Sequence, residues 1–198
     1  MASAMTDKER HILMTGFGGQ GVIMAGDILG TAATIYDGKF ATMTQAYGPE
    51  ARGGACSAQI IIGNREVLFP YIEEPDVLIC MSQEGYAKNI GNLGEGGILI
   101  FETDLVQIKD ATSGVTTYNI PATRFAEELG NKMMANIVML GFLAAVSDLV
   151  SVDALRKAVL TAVPAPTREN NSRAFERGRE YGKTALKSRA KQGRLARD

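Results

Sequence analysis

Apolar positions come first in short runs and later in long periodic stretches, and that change of rhythm divides the chain. His11-Ile-Leu-Met-Thr15 is a short apolar run of strand type. From Gln20 to Ala33 the apolar residues recur at helical spacing. The turn Tyr36-Asp-Gly-Lys39 leads to a second strand, Phe40-Ala-Thr-Met-Thr44. Ala55 to Ile62 alternates and ends in β-branched residues, which predicts a third. Gly63-Asn64 is a two-residue hairpin signal, so Arg65 to Phe69 is expected to return as a paired strand before Pro75. Asp76 to Met81 and Gly97 to Phe101 are buried-type strands, separated by a helix capped by Ser82 and ending near Ile90. A shorter strand, Val115 to Ile120, stops at Pro121. The rest is helical: Ala122 to Leu129, Met133 to Ser147, Val152 to Val163 behind the N-cap Ser151, and a tail helix from near Arg168 expected to fray near Ser188.

This order predicts an α/β fold: Rossmann-like and three-layered, with a mainly parallel sheet, an inserted β-hairpin and C-terminal helices. It divides into a flexible N-terminus (1–10), one domain (11–165) and a basic C-terminal helix and tail (166–198) whose first half packs on the same domain.

Composition sharpens this only at the tail. The 198 residues are 45% hydrophobic and 22% charged, with a formal net charge of −1, which is ordinary for a globular chain. Residues 173–198 nevertheless hold nine Lys/Arg against three Asp/Glu, a net of +6 that leaves −7 for the rest. Such a tail is either a solvated helix face with a loose end or a docking arm for an acidic partner surface. Phe175 and Tyr181 are its only aromatics, so a nucleic-acid partner is not expected. The first ten residues lack the apolar stretch of a signal peptide, and Met133 to Val146 is too short to span a bilayer. A cytoplasmic protein with no membrane partner is expected. Cys56 and Cys80 lie far apart without a C-x-x-C, and His11 is the one histidine. That inventory does not supply a zinc site or four thiolates for a cubane cluster.

Two glycine-rich stretches carry the candidate chemistry. Gly16, Gly18 and Gly21 form a G-x-G-x-x-G between a strand and a helix, with Gly19 and Gln20 inside the turn. Gly16 suits a tight turn, Gly18 a close backbone approach to a ligand, and Gly21 close packing of helix on strand. A nicotinamide-binding domain would carry an acid at the end of its second strand. Here Asp37 precedes that strand and reads as a turn residue. The second stretch is Tyr47-Gly-Pro-Glu-Ala-Arg-Gly-Gly54. It is either a surface turn with a solvated Glu50–Arg52 pair, or a functional loop that presents Glu50 and Arg52 from a backbone constrained by Gly53 and Gly54. No G-x-S-x-G or Walker lysine pattern accompanies it, so no catalytic residue is assigned to this chain.

Taken together, Thr15-Gly-Phe-Gly-Gly-Gln-Gly-Val22, Asp37-Gly-Lys39 and Ala46 to Gly54 resemble the gamma subunit of 2-oxoacid:ferredoxin oxidoreductases. Pro75-Asp-Val-Leu78, Gly96-Gly-Ile-Leu99 and Asn136 to Gly141 fit the same pattern, and the loop at Tyr47 is closest to the 2-oxoglutarate branch. The resemblance implies an assembly that converts a 2-oxoacid and coenzyme A to an acyl-CoA and passes two electrons to ferredoxin. It implies thiamine diphosphate and Mg between alpha and beta subunits, and iron–sulfur clusters in the beta or a ferredoxin-like delta subunit. The gamma subunit would bind none of these alone and be inactive alone. Its implied role is assembly beside the thiamine site, with a part in coenzyme A access. Pyruvate, branched-chain 2-oxoacid and indolepyruvate enzymes remain alternatives, as does a stand-alone nucleotide- or CoA-binding module.

Overall fold

The computed structural model describes residues 8–48, 54–108 and 114–195. Six strands form one sheet in the order β2-β3-β1-β4-β5-β6. They are β1 (Arg10–Phe17), β2 (Phe40–Tyr47), β3 (Ala55–Gly63), β4 (Val77–Cys80), β5 (Ile98–Glu102) and β6 (Thr116–Ile120). β1, β4, β5 and β6 are mutually parallel, β3 runs antiparallel to β1, and β2 antiparallel to β3.

The inserted hairpin is therefore β2–β3, not Ala55–Ile62 with Arg65–Phe69. Both edges of β3 are taken, since Ile60 is opposite Ile12 on one side and Met43 on the other. A strand at Arg65–Phe69 would have no edge of β3 left to pair with. Residues 65–75 cross instead as an irregular strap, held where the Gln59 Oε1 accepts from the Ile72 N–H at 3.2 Å. Leu68, Phe69 and Tyr71 on it are exposed.

Strand alternation sorts the core into two faces. Ile12, Met14, Val77, Ile79 and Ile100 join the larger cluster under α1 (Val22–Thr31), α4 (Ala135–Val146) and α5 (Val152–Ala162). Leu13, Leu78, Cys80, Leu99 and Phe101 face the other way, covered by α2 (Gln83–Asn89) through Tyr86 and by Val106. α3 (Ala122–Glu128) follows β6 directly. α4 is apolar all round because it is covered all round: its Phe142 meets Tyr118 of β6 at 6.0 Å and Tyr181 of α6 (Arg168–Leu195) at 6.1 Å.

The side-chain caps follow the sequence expectation. Ser82 Oγ accepts from the Gly85 N–H and Ser151 Oγ from the Ala154 N–H, each at 3.1 Å. Asp37 sits in a turn, as expected, and its carboxylate accepts from the Ser151 N–H at 2.5 Å and the Ser151 hydroxyl at 2.7 Å. It thus ties the end of the first helical segment to the start of α5. α6 does not fray near Ser188: it runs 28 residues, to Leu195. Arg189 continues to make contacts there, lying over the Tyr118 ring and donating to Thr116 Oγ1 at 3.2 Å.

Candidate functional site

β1, β4, β5 and β6 all end at one edge of the sheet, where ligands of open α/β sheets bind. β2 ends there too, because two antiparallel steps restore its direction. The two glycine stretches meet at this edge: the Gly18 N–H donates to the Gly54 carbonyl at 2.8 Å. Gly48 closes the other side by donating to the Ala55 carbonyl at 2.6 Å. Glu50, Arg52 and Gly53 lie outside the described residues.

Within the first turn the glycines divide the work differently from the fingerprint. Gly16 is still in β1, and the left-handed residues are Gly19 (φ 95°) and Gly21 (φ 72°). Gly16 is needed for space: a Cβ there would sit 2.5 Å from Gln20 Oε1 and 2.7 Å from Val22 Cγ2. Gln20 braces the turn, its Oε1 accepting from the Phe17 N–H at 2.7 Å and its Nε2 donating to the Met81 carbonyl at 2.9 Å. The turn is thereby fixed to the end of β4. Gly21 is the N-cap of α1 without a side-chain partner, which leaves the first N–H groups of α1 facing the edge.

Beneath Gly21 lies Asn136, at the start of α4 and 2% exposed. Its Nδ2 donates to the Gly21 carbonyl at 3.2 Å. Its signal in the sequence is a single amide in an otherwise apolar run.

Beside the glycine loops is a cleft of about 370 Å³ between β1, β2 and β3 on one side and α2 on the other. Thr15, Tyr47, Ser57, Glu84, Lys88 and Asn89 give it polar groups. Tyr47 is exposed at its mouth and donates to Gln45 Oε1 at 2.6 Å. α2 can approach β1 only because residue 85 is glycine; a Cβ there would overlap Thr15 Oγ1. Cys56 lines the cleft, but burial raises its pKa. Burial pushes the Cys80 thiol up to about 12. Both are free, buried thiols rather than thiolate nucleophiles. Among the described residues no three His, Cys, Asp or Glu side chains converge on a metal position. The arrangement can recognise a ligand or a partner's backbone through N–H groups and one ammonium.

Glu102 ends β5 at the same edge and is fully buried. Its carboxylate accepts from the Thr123 hydroxyl at 3.2 Å and the Asp104 N–H at 3.4 Å, so it anchors the start of α3. Burial raises its pKa, with the Asp104 charge adding to the shift against the bonds from Asp104 and Thr123. The native chain then binds more protons than the unfolded one between the ordinary glutamate value and the raised one. Stability must fall as pH rises through that window. Glu102→Gln is expected to abolish this slope, measured by urea unfolding at a pH below the window and one above it. An unchanged pH dependence would mean that Glu102 is ionised in the fold without cost.

Fold and edge define the class first: a mixed-sheet α/β domain with two glycine loops joined at one sheet edge and a flanking cleft. The sequence model described as Pyruvate ferredoxin/flavodoxin oxidoreductase matches residues 11–181, and the chain belongs to that family. It is 46% identical over 176 residues to the 2-oxoglutarate synthase subunit KorC of Methanocaldococcus jannaschii, covering 88% of this chain and 94% of the relative. The KorC subunit of Methanothermobacter thermautotrophicus is 43% identical over 182 residues, covering 89% and 96%. Among solved structures, the keto/oxoacid ferredoxin oxidoreductase gamma subunit from Geobacter sulfurreducens PCA is similar at a TM-score of 0.77 and 39% identity, over 87% of this chain and 98% of that one. Among the described residues no helix is long and apolar enough to cross a membrane.

Proposed function

We propose that this chain is the gamma subunit of a 2-oxoglutarate:ferredoxin oxidoreductase. The assembled enzyme would convert 2-oxoglutarate, coenzyme A and oxidised ferredoxin to succinyl-CoA, CO2 and reduced ferredoxin. Thiamine diphosphate, Mg and iron–sulfur clusters would reside in alpha, beta and delta-type partner subunits. The observation that carries this reading is the Gly18–Gly54 bond. It joins the two loops that mark the gamma-type pattern into one edge, next to a cleft with no catalytic set among the described residues. Near end-to-end similarity to two KorC subunits supports the 2-oxoglutarate branch. The glycine edge and the cleft with Lys88 suit part of coenzyme A or a partner subunit's backbone better than a nicotinamide cofactor, because β2, Phe40–Tyr47, carries no acid at its end.

The test is reconstitution. The complex containing this chain should reduce ferredoxin or viologen with 2-oxoglutarate and coenzyme A, and should prefer 2-oxoglutarate over pyruvate, branched-chain 2-oxoacids and indolepyruvate. The isolated chain should be inactive. Turnover by the isolated chain would overturn the subunit reading, and a preference for another oxoacid would overturn the branch. A stand-alone CoA- or nucleotide-binding module is the second reading, favoured by the open cleft. Tight calorimetric binding of coenzyme A or a nucleotide to the isolated chain, with no complex formed, would select it.

Arg52 tests the second loop. Arg52→Ala is expected to lower turnover of the complex roughly 10-fold or more, about the worth of one charge-assisted contact. The melting temperature of the chain should barely change. Normal turnover with a large stability loss would make the loop purely structural.

A further inference from the structure

The outer edge of the sheet at β6 is open. The Thr116 N–H donates to the Gly97 carbonyl at 2.8 Å, and the Ile120 carbonyl accepts from Thr103 at 3.0 Å, so both residues turn their backbone toward β5. Backbone groups alternate direction along a strand, so the N–H and C=O of Thr117 and Asn119 point outward. β5 is the neighbour of β6 on one side, and among the described residues no strand follows on the other. No partner for these outward groups exists among the described residues. Such an edge is a template for another extended chain.

The groove beside it says what kind of chain. Thr184, Ser188 and Arg189 stand on one face of α6, opposite Thr117 and Asn119 across a space of about 380 Å³. The Arg189 guanidinium lies 5.6 Å from the centre of the Tyr118 ring. Its hydrogen bond goes to a neutral hydroxyl, Thr116 Oγ1. Neither it nor Lys187 nor Lys191 has a carboxylate partner among the described residues, whereas Arg179 and Lys183, about three and two turns before Arg189, are paired with Glu176 and Glu180. The family model matches residues 11–181, so Arg189 lies beyond its span. Charges on a flanking helix protect an open edge against indiscriminate pairing and select the charge of what is admitted.

We propose that the β6 edge and the α6 wall receive an extended acidic segment of a partner subunit, added to the sheet as a seventh strand. Main-chain bonds to Thr117 and Asn119 would supply affinity, and a carboxylate on the added strand would meet Arg189, the cation that lines the groove among the described residues. This gives the basic tail the docking role left open by its charge, and it rests on the subunit reading above.

Amide hydrogen exchange on the full-length chain, free and in the assembled oxidoreductase, tests it. The Thr117 and Asn119 amides should slow by at least ~10-fold on assembly, while those of Thr116 and Tyr118, already bonded to β5, serve as references. Arg189→Glu should weaken retention of the chain in the complex roughly 10-fold and reduce its salt sensitivity. Thr117→Pro removes only the outward N–H and should also weaken assembly. Unchanged exchange at both amides in an assembled, active complex overturns the inference and leaves the subunit reading standing. Protection already present in the dilute free chain means its own terminus covers the edge. Protection that grows with concentration of the free chain means a second copy does. Either result overturns the partner assignment. Failure to assemble any complex removes the subunit reading, and this inference with it.

Discussion

Gly178→Ala is expected to destabilise the isolated chain by at least about 3 kcal/mol, the upper range for forcing extra atoms into a packed interior. Alanine is intrinsically the better helix former by about 1 kcal/mol, so propensity alone predicts the opposite sign. Packing decides. A Cβ on Gly178 of α6 would overlap the Val138 carbonyl of α4, and one on Gly141 of α4 would overlap the Phe175 carbonyl of α6. The seam continues at Gly182, where a Cβ would lie 2.7 Å from the Ala145 Cβ. Ala174, Gly178 and Gly182 recur every four residues, so one stripe of α6 lets the two backbones touch. Backbone carbonyls cannot rotate aside as a side chain would, so α6 must move away as a whole. That would unseat Phe175, which is fully buried, and loosen the edge-on contact of Tyr181 with Phe125 at 5.2 Å. Urea unfolding reads the effect. A midpoint equal to wild type would show that the helices are not in close backbone contact.

The same stripe shows what the sequence concealed. Strand and helix positions were legible because hydrophobic period and caps are local. Ser82 and Ser151 each sit before an apolar run and cap through their own hydroxyls. The hairpin was misplaced because Gly63-Asn64 is a genuine local turn signal, but which strand claims the edge of β3 is decided by partners distant in sequence. In α6 the many Lys and Arg residues mark the solvated side, while a glycine in a helix is by propensity only a weak helix former and gives no local sign that Gly178 and Gly182 are contact points. At the candidate site, the pairing of the two glycine loops was legible as motifs, and the Gly18–Gly54 bond joins them. The cleft was not legible. It exists because α2 stands on β1 at Gly85, which no spacing rule encodes.

The glycine turn itself can be dissected by contrasting two of its left-handed residues. Gly19→Ala should cost about 1 to 2 kcal/mol, the strain of a non-glycine residue at positive φ, because nothing lies within 4 Å of the added methyl. Gly21→Ala carries the same strain and in addition drives its methyl into the Asn136 amide. Asn136 is buried in α4 and is the donor to the Gly21 carbonyl, so displacing it leaves that carbonyl without this bond and the amide without its place. An unmade buried hydrogen bond costs a further 1 to 3 kcal/mol or so. The total, roughly 2 to 5 kcal/mol by these two contributions, should also lower turnover of the assembled enzyme, since Gly21 starts α1 and fixes the N–H groups that face the edge. Gly21→Ala/Asn136→Ala gives the decisive arm. With the amide gone, the nearest obstacle is the Asn136 Cβ at 3.3 Å, a distance a small shift accommodates. The double variant should therefore be more stable than the sum of the two single losses, by about 1 to 2 kcal/mol of coupling. Additive losses would show that Gly21 is required for its backbone angle alone, and that α4 does not hold the turn through Asn136.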